Sequence, residues 1–154
     1  MEMKTKEEFF AFEKKNQKFF DDYYKKKGWK FKRIIGKENK RFNSLIEIDG
    51  KFWRFEEKVR STDYNDLLVE LVQDIATKSP GWLYYTEADY ILYSMPSSFY
   101  VVTFGKLKSH IKNNGSDYDF IISKKGWGET VNIAIPWKIL IDLKIAKKIL
   151  KESY

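Results

Sequence analysis

The chain has 154 residues, a length typical of one domain that buries a sizeable hydrophobic core. Hydrophobic residues make up 43% and charged residues 33%, which is ordinary globular composition and excludes a disordered tail. The formal net charge of +7 favours polyanionic partners, chiefly nucleic acid or an acidic membrane surface. A lysine-rich soluble protein without such a partner carries the same charge, so charge alone leaves both interpretations open.

Residue types that are missing or rare in the chain exclude several kinds of bond and site. The chain has no cysteine, which excludes disulfides, thiolate zinc sites and cysteine nucleophiles. His110 is the single histidine, which excludes multi-histidine metal sites. A metal would therefore be held by carboxylates and carbonyls, the ligands of Mg²⁺ and Mn²⁺. With no signal-peptide pattern and no apolar run of membrane-spanning length, we expect a cytoplasmic protein with no membrane partner.

The first third of the chain predicts a helix, a strand and a β-hairpin. Residues 5–27 form an amphipathic pattern that ends in three lysines, which suit the last turn of a helix. Residues 29–35 alternate as in a strand, and residues 36–40 form a loop. Two short alternating runs then flank Asp49-Gly50, which is the strongest short-range signal for a hairpin.

The turn of this hairpin decides which side chains face each other. With a two-residue turn, Ile48 pairs with Lys51, and the register places Asn43 directly opposite Glu56. The Cβ atoms of such pairs lie about 5 Å apart. Because side chains alternate along a strand, Lys58 shares the face of Glu56. The other face of the hairpin is predicted to be the core face and carries Phe42, Ile46, Ile48, Trp53 and Phe55.

The rest of the chain predicts elements that complete a mixed α/β fold. Residues 63–77 have a helical spacing of apolar residues and predict a second helix. Strands are predicted at residues 82–85, 90–95, 99–104, 120–123 and 130–135, and further helices at residues 105–114 and 137–151. This order predicts one domain over residues 1–154, built on one central β-sheet.

Glu56 and Lys58 form the pair that could carry chemistry. A carboxylate such as Glu56 can bind a divalent cation that polarises a phosphate and lowers the pKa of bound water. Lys58 can orient that water or stabilise the developing charge. The backbone carbonyl of Glu57 is a further candidate ligand, because hard cations accept carbonyl oxygens. The Glu-x-Lys pattern alone is weak, since it is common on exposed strands.

The run from Asn43 to Lys58 resembles the PD-(D/E)XK nuclease superfamily, in which an aspartate begins one strand and (D/E)-x-K ends the next. The likeness covers roughly residues 7–95, and the later segment 81–93 resembles small phage-type members. The resemblance implies a restriction-endonuclease-like fold, with a central mixed β-sheet flanked by helices. It also implies Mg²⁺- or Mn²⁺-dependent hydrolysis of phosphodiester bonds, chiefly of DNA. Because many such nucleases pair to cut two strands, a homodimer is a further expectation.

Position 43 departs from the pattern of the family. The resemblance implies a metal-binding aspartate there, and Asn43 offers a neutral oxygen that binds Mg²⁺ more weakly. Either the substitution silences or weakens cleavage, or the role of the aspartate has moved to Asp49 or Glu47. Both of those residues lie toward the turn, far from Glu56, so a silenced site is the preferred interpretation.

Further residues are implied by the same resemblance. Glu13, with Gln17 one turn later, matches the position of the glutamate that the family's first helix often supplies. Gln73, with Glu70 three residues before it, matches the polar residue of the family's second helix. A snorkelling or boundary residue explains Glu13 about as well, and a plain solvated face explains Glu70 and Gln73 about as well.

Basic residues around the hairpin could follow a phosphate backbone, and they are Lys30, Lys32, Arg33, Lys40, Arg41 and Arg60. Three hypotheses remain open on the sequence alone. The first is a metal-dependent nuclease, and the second is a non-catalytic nucleic-acid-binding module on the same fold. The third is a small basic scaffold in which Glu56 and Lys58 form only a surface ion pair.

Overall fold

The computed structural model describes residues 5–36, 41–126 and 128–151. In chain order its elements are α1 (Lys6–Lys26), β1 (Lys30–Arg33), β2 (Ser44–Ile48), β3 (Lys51–Val59), β4 (Asp66–Asp74), β5 (Ser79–Pro80), α2 (Trp82–Tyr85), β6 (Tyr90–Ser94), β7 (Ser98–Thr103), α3 (Phe104–Asn114), β8 (Phe120–Lys125), β9 (Gly128–Pro136), α4 (Trp137–Asp142) and β10 (Ala146–Leu150).

Helix α1 begins and ends as the sequence predicts. The Thr5 side chain accepts a hydrogen bond of 3.1 Å from the backbone N–H of Glu8, which satisfies one of the donors left open at a helix start. Lysines occupy the last turn, and Gly28 follows with a φ of 74°, a conformation that favours glycine. The loop predicted at residues 36–40 lies outside the described residues except for Gly36.

Six strands form a mixed central sheet in the order β1-β2-β3-β6-β7-β10. Strands β3 and β6 run parallel, and every other neighbouring pair in this sheet is antiparallel. The predicted strands at residues 29–35, 90–95 and 99–104 are confirmed as β1, β6 and β7. Together with four helices in the described residues, this sheet confirms a mixed α/β fold.

The hairpin of β2 and β3 has the predicted register. Pairing runs from Ile48 opposite Lys51 to Ser44 opposite Phe55. Asp49 and Gly50 both have positive φ angles, 52° and 78°, as a two-residue turn between twisted strands requires.

Helix α1 covers one face of the central sheet. The contact is an aromatic-rich core of fully buried side chains, formed by Phe20, Tyr23, Tyr24, Ile46, Phe55, Leu92 and Phe99. Ile48 and Trp53 pack against it as partly buried residues, so the predicted core face of the hairpin is confirmed for these members. Burying the aromatic stripe of α1 removes a large apolar area from water, which stabilises the helix on the sheet.

The predicted helix over residues 63–77 is wrong, because residues 66–74 form strand β4. This strand belongs to a second sheet of order β5-β4-β9-β8, in which Leu67 pairs with Ile135 and Val69 with Ile133. These four side chains are almost completely buried. The leucines and valines of this stretch fit the spacing of a helix and also the two-residue alternation of a strand. The long-range pairing with β9 stabilises the strand instead of the helix.

Two other predicted elements change type. Residues 82–85 form the short helix α2 where a strand was predicted. The predicted helix over residues 137–151 ends at Asp142, and after a turn with Lys144 at a φ of 58° the chain continues as strand β10. Strand β10 pairs with β7 and completes the central sheet.

A second core joins the two sheets. Its buried residues come from β4 and β9, from β6 and β7, and from the helices α2, α3 and α4. Trp137 at the start of α4 stacks on Tyr100 of β7 with ring centroids 3.7 Å apart. In the described ranges, no helix combines the length and the apolar character needed to cross a lipid bilayer.

Candidate functional site

Strand β3 carries Glu56 and Lys58 on the same face, as the alternation of side chains requires. The Lys58 Nζ atom lies 3.4 Å from the Glu56 Oε1 atom. Lys58 also borders a cavity of about 250 Å³, named here the β3 cleft, whose walls include Arg60, Glu70, Trp82 and Asn132. The ammonium group is partly exposed at this cleft, while Glu56 is 5% exposed.

The surroundings of Glu56 favour its protonated form. Burial raises the pKa of the Glu56 carboxyl above its ordinary value, and the charge of Lys58 opposes this rise only in part. The hydroxyl of Thr86 lies 3.5 Å from Glu56 Oε2 and donates to the carbonyl of Arg41 at 3.1 Å. A buried carboxyl with a raised pKa next to a cation is typical of functional sites, although structural ion pairs also produce it.

Helix α2 closes the β3 cleft from one side. The Trp82 ring centre lies 5.4 Å from Lys58 Nζ, a distance at which the ring face attracts a cation. At the other end of this helix, burial and the charges of Glu70 and Glu56 raise the pKa of the Tyr85 phenol to about 12. The Tyr85 hydroxyl therefore stays protonated at neutral pH and remains available as a hydrogen-bond donor.

A glycine allows α2 to approach β4 this closely. The Gly81 N–H donates to the carbonyl of Leu71 at 2.9 Å. A Cβ atom added at Gly81 would lie 2.2 Å from the Glu70 carbonyl oxygen, a non-bonded distance that real Cβ atoms essentially never show. The position of α2, and with it that of Trp82 and Thr86, therefore depends on the absence of a side chain at residue 81.

Asn43 comes directly before β2, whose pairing with β3 ends at Ser44 opposite Phe55, and its side chain is already bonded. Its backbone N–H donates to the Phe55 carbonyl at 2.9 Å, and its Oδ1 accepts from the N–H of Glu57 at 2.6 Å. These two bonds flank Glu56 on the neighbouring strand. Just before β2 begins, the side-chain oxygen of Asn43 takes the place of a backbone acceptor for strand β3.

Glu57 points away from Glu56 and toward helix α1. Its carboxylate accepts from the Tyr24 hydroxyl at 2.6 Å, the Arg33 guanidinium at 2.7 Å and the Ser44 hydroxyl at 3.3 Å. Burial first, and then the charge of Glu57, raise the pKa of Tyr24 well above its ordinary value. The carboxylate of Glu57 is thus tied into a network that fixes α1 on the sheet.

The expected metal ligands Asn43, Glu56, Glu57 and Glu13 do not gather at one point. Exposed Glu13 borders a different cavity, of about 460 Å³, together with Gln17, Asn43 and Glu57, on the side of α1. The Glu56 carboxylate instead faces the Thr86 hydroxyl. Over the described ranges, no group of three or more acidic or histidine side chains is close enough to hold a metal ion.

The donor types at the β3 cleft nevertheless suit a hard cation. Mg²⁺ keeps several waters and is usually held by one or two carboxylates together with substrate phosphates. Glu70 on β4 supplies a carboxylate to the cleft wall, and buried Glu56, beside Lys58, is near enough that the charges of both act on Tyr85. Glu70 and Gln73 lie on a strand and not on the predicted helix, and exposed Gln73 borders a neighbouring cavity with Arg41 and Tyr85.

The basic residues before the hairpin separate into two groups. Lys30 and Lys32 are on the edge strand β1, and both are exposed. Arg33 is half-buried, donates to Glu57, and pairs with Asp21 at 2.7 Å. Arg33 therefore has a structural role, whereas Lys30 and Lys32 give strand β1 a positive charge that faces solvent.

The remaining predicted basic residues differ in their surroundings. Arg41 is exposed and donates to Glu87 at 2.6 Å. Arg60 borders the β3 cleft, pairs with Asp66 at 3.1 Å, and stacks its guanidinium 3.6 Å from the centre of the Tyr64 ring. Lys40 lies outside the described residues.

Sequence reasoning missed Trp82, Tyr85 and Thr86, because it assigned residues 82–85 to a strand. The available signal was Pro80-Gly81, since a glycine that follows a proline often precedes a change of chain direction. Comparison with known protein families, with curated proteins and with solved structures finds no match to this chain. The geometry of the β3 cleft is therefore the basis for a functional proposal.

Proposed function

We propose that the chain is a Mg²⁺-dependent nuclease of DNA that acts at the β3 cleft. The observation that carries the proposal is the Glu56 carboxylate 3.4 Å from the Lys58 ammonium on one strand face, with Lys58 lining the β3 cleft. The resemblance of Asn43–Lys58 to the PD-(D/E)XK superfamily supports the same assignment. The mixed central sheet, with α1 packed on one face, agrees with the fold which that resemblance implies.

Each residue has a defined role in this proposal. A bound Mg²⁺ would polarise the scissile phosphate and lower the pKa of a water molecule. Glu56 binds the cation, with Glu70 as a second carboxylate in the cleft. Lys58 positions the attacking water and stabilises the charge that develops on the phosphate. The Trp82 ring, 5.4 Å from the Lys58 ammonium, would attract it toward the cleft.

In this proposal, the side chain at position 43 determines the rate of Mg²⁺-dependent cleavage. The Asn43 amide oxygen accepts from the Glu57 N–H, so it offers no charged oxygen to a cation. An aspartate at this position could keep that bond with one oxygen and leave a second, charged oxygen for a cation. We therefore expect Asn43→Asp to raise Mg²⁺-dependent cleavage by at least about tenfold, because a carboxylate binds this cation more tightly than an amide.

The test is cleavage of supercoiled plasmid by the full chain in Mg²⁺, in Mn²⁺ and with a chelator. Lys58→Ala in the Asn43→Asp background should lower the rate by about 100-fold or more, as loss of a preorganised charge does. Lys51→Ala, an exposed lysine on the same strand, is the matched control and should cut normally. Equal cutting by the Lys58 and Lys51 variants would exclude the assigned role of Lys58.

A second candidate is a non-catalytic nucleic-acid-binding module on the same fold. The hydrogen bond that already occupies the Asn43 amide oxygen, together with its neutral side chain, favours it. Under this candidate, neither the chain nor Asn43→Asp cuts plasmid in either metal, while both retard labelled DNA in a gel at low salt. Failure to bind DNA at low salt would leave only a basic scaffold protein.

A further inference from the structure

Strand β8 ends the second sheet and carries apolar side chains that are exposed among the described residues. Within the described residues β8 pairs with β9 alone, as the last strand in the order β5-β4-β9-β8. Phe120 is paired with Ile133, so the two side chains share a sheet face. Ile133 is 1% exposed in the core, whereas Phe120 is 72% exposed and Ile122 is 59% exposed.

Such an edge is unusual in a protein that stays monomeric. Edge strands are normally protected by charges, prolines or bulges, because their open backbone groups recruit another strand. On β8 two of the positions that continue the core face, Phe120 and Ile122, are aromatic and aliphatic, and Lys124 follows them on the same face. The apolar face of the second sheet therefore continues onto side chains that the core does not bury. A further strand would pair with the open backbone edge and cover these side chains.

The sequence of β8 is complementary to itself. We propose that two copies of the chain associate through antiparallel pairing of β8 with β8, around a two-fold axis at Ile122. This register places Ile122 opposite its own counterpart and Phe120 opposite Lys124 of the second copy. A lysine can cover an aromatic ring with its aliphatic stem and place its charge over the ring face.

The charges near β8 fit the same antiparallel arrangement. Asp117 and Asp119 precede the strand, and Lys124 lies near its other end. Antiparallel pairing brings the acidic end of each copy beside the basic end of the other, whereas parallel pairing would bring like charges together. The result is one continuous eight-stranded sheet, since each copy contributes four strands. This association is independent of the proposed nuclease activity.

The axis at Ile122 allows a direct test by opposite charges. We expect the full chain to dimerise in a concentration series followed by light scattering after size exclusion. Ile122→Glu and Ile122→Lys should each raise the dissociation constant by about 100-fold or more, because identical charges then meet across the axis. Mixing the two variants should restore dimers that contain one copy of each.

A matched control separates this interface from general surface effects. Phe52→Glu replaces a 65% exposed phenylalanine on β3 with the same charge and should leave dimerisation unchanged. Circular dichroism establishes that each variant is folded. A monomeric full chain throughout the concentration series would overturn the proposal, as would dimers of both Ile122 variants alone. Failure of the mixed variants to associate would overturn the placement of the axis at Ile122.

Discussion

Glu56 and Glu57 are adjacent carboxylates with opposite surroundings. Glu57 accepts four hydrogen bonds, two of them from the Arg33 guanidinium, so its charge is well compensated. Glu56 has Lys58 at 3.4 Å and the hydroxyl of Thr86 at 3.5 Å, both longer contacts. One residue of strand alternation thus separates a carboxylate whose charge is held by strong partners from one whose charge is compensated only in part.

This difference predicts how stability responds to pH. The pKa of Glu56 is raised by burial above the ordinary value of 4.5, so the protonated form fits the folded state better. The stability that this group contributes is present below the pKa of the unfolded chain and is lost as pH rises through the folded pKa. Relative to Glu56→Gln, the natural chain should therefore lose free energy of unfolding as pH rises from about 4.5 toward neutrality.

Urea unfolding at a series of pH values measures this difference. Glu47→Gln, on the neighbouring strand, is the matched control for the loss of one negative charge. A difference between the natural chain and Glu56→Gln that does not grow with pH would show that burial does not disfavour the Glu56 charge. Because a bound cation favours the ionised carboxylate, Mg²⁺ should reduce the pH dependence of the natural chain.

Among the elements, helix α2 is the one whose position depends on a single residue. Gly81→Ala places a Cβ atom 2.2 Å from the Glu70 carbonyl oxygen and 2.8 Å from the Leu71 carbonyl carbon, and neither backbone can move cheaply. We expect a loss of about 1–3 kcal/mol in the free energy of unfolding, the usual range for overpacking. Cleavage should fall as well, because Trp82 and Thr86 move with the helix.

Gly105→Ala provides the matched control for this substitution. Gly105 lies in helix α3, and apart from its chain neighbours and its own helix backbone, no atom of the described residues lies within 4 Å of the position that its methyl group would occupy. An alanine there should stabilise the chain by up to about 1 kcal/mol, since glycine is the poorer helix former. Thermal unfolding of both variants distinguishes the two effects, and equal stability of both would contradict the close approach of α2 to β4.

The elements also show what the sequence could predict. The Asp49-Gly50 turn determined its hairpin, because local backbone preferences and alternation act within a few residues. The placement of Glu56 and Lys58 on one face followed from that register. Strand β4 could not be predicted in this way, because its spacing of leucines fits a helix and its pairing partner β9 lies about 60 residues later in the chain.

For the molecule as a whole, the net charge of +7 matters only if the charge lies where a polyanion can bind. The central sheet has a lysine pair at each edge. Lys30 and Lys32 lie on β1, next to the hairpin, and Lys147 and Lys148 lie on β10 at the far edge. If DNA crosses the β1 edge to reach the hairpin, these two pairs make unequal contributions to binding.

Replacing Lys30 and Lys32 with glutamine should weaken DNA binding and lower the slope of log affinity against log salt by up to about 2, since each phosphate contact contributes about 0.9. The same change at Lys147 and Lys148 removes equal charge from the opposite edge and should alter the slope little. Fluorescence anisotropy with labelled duplex over a salt series measures both. Equal losses from the two pairs would mean that binding follows net charge alone, and that the β1 edge gives DNA no preferred path to the hairpin.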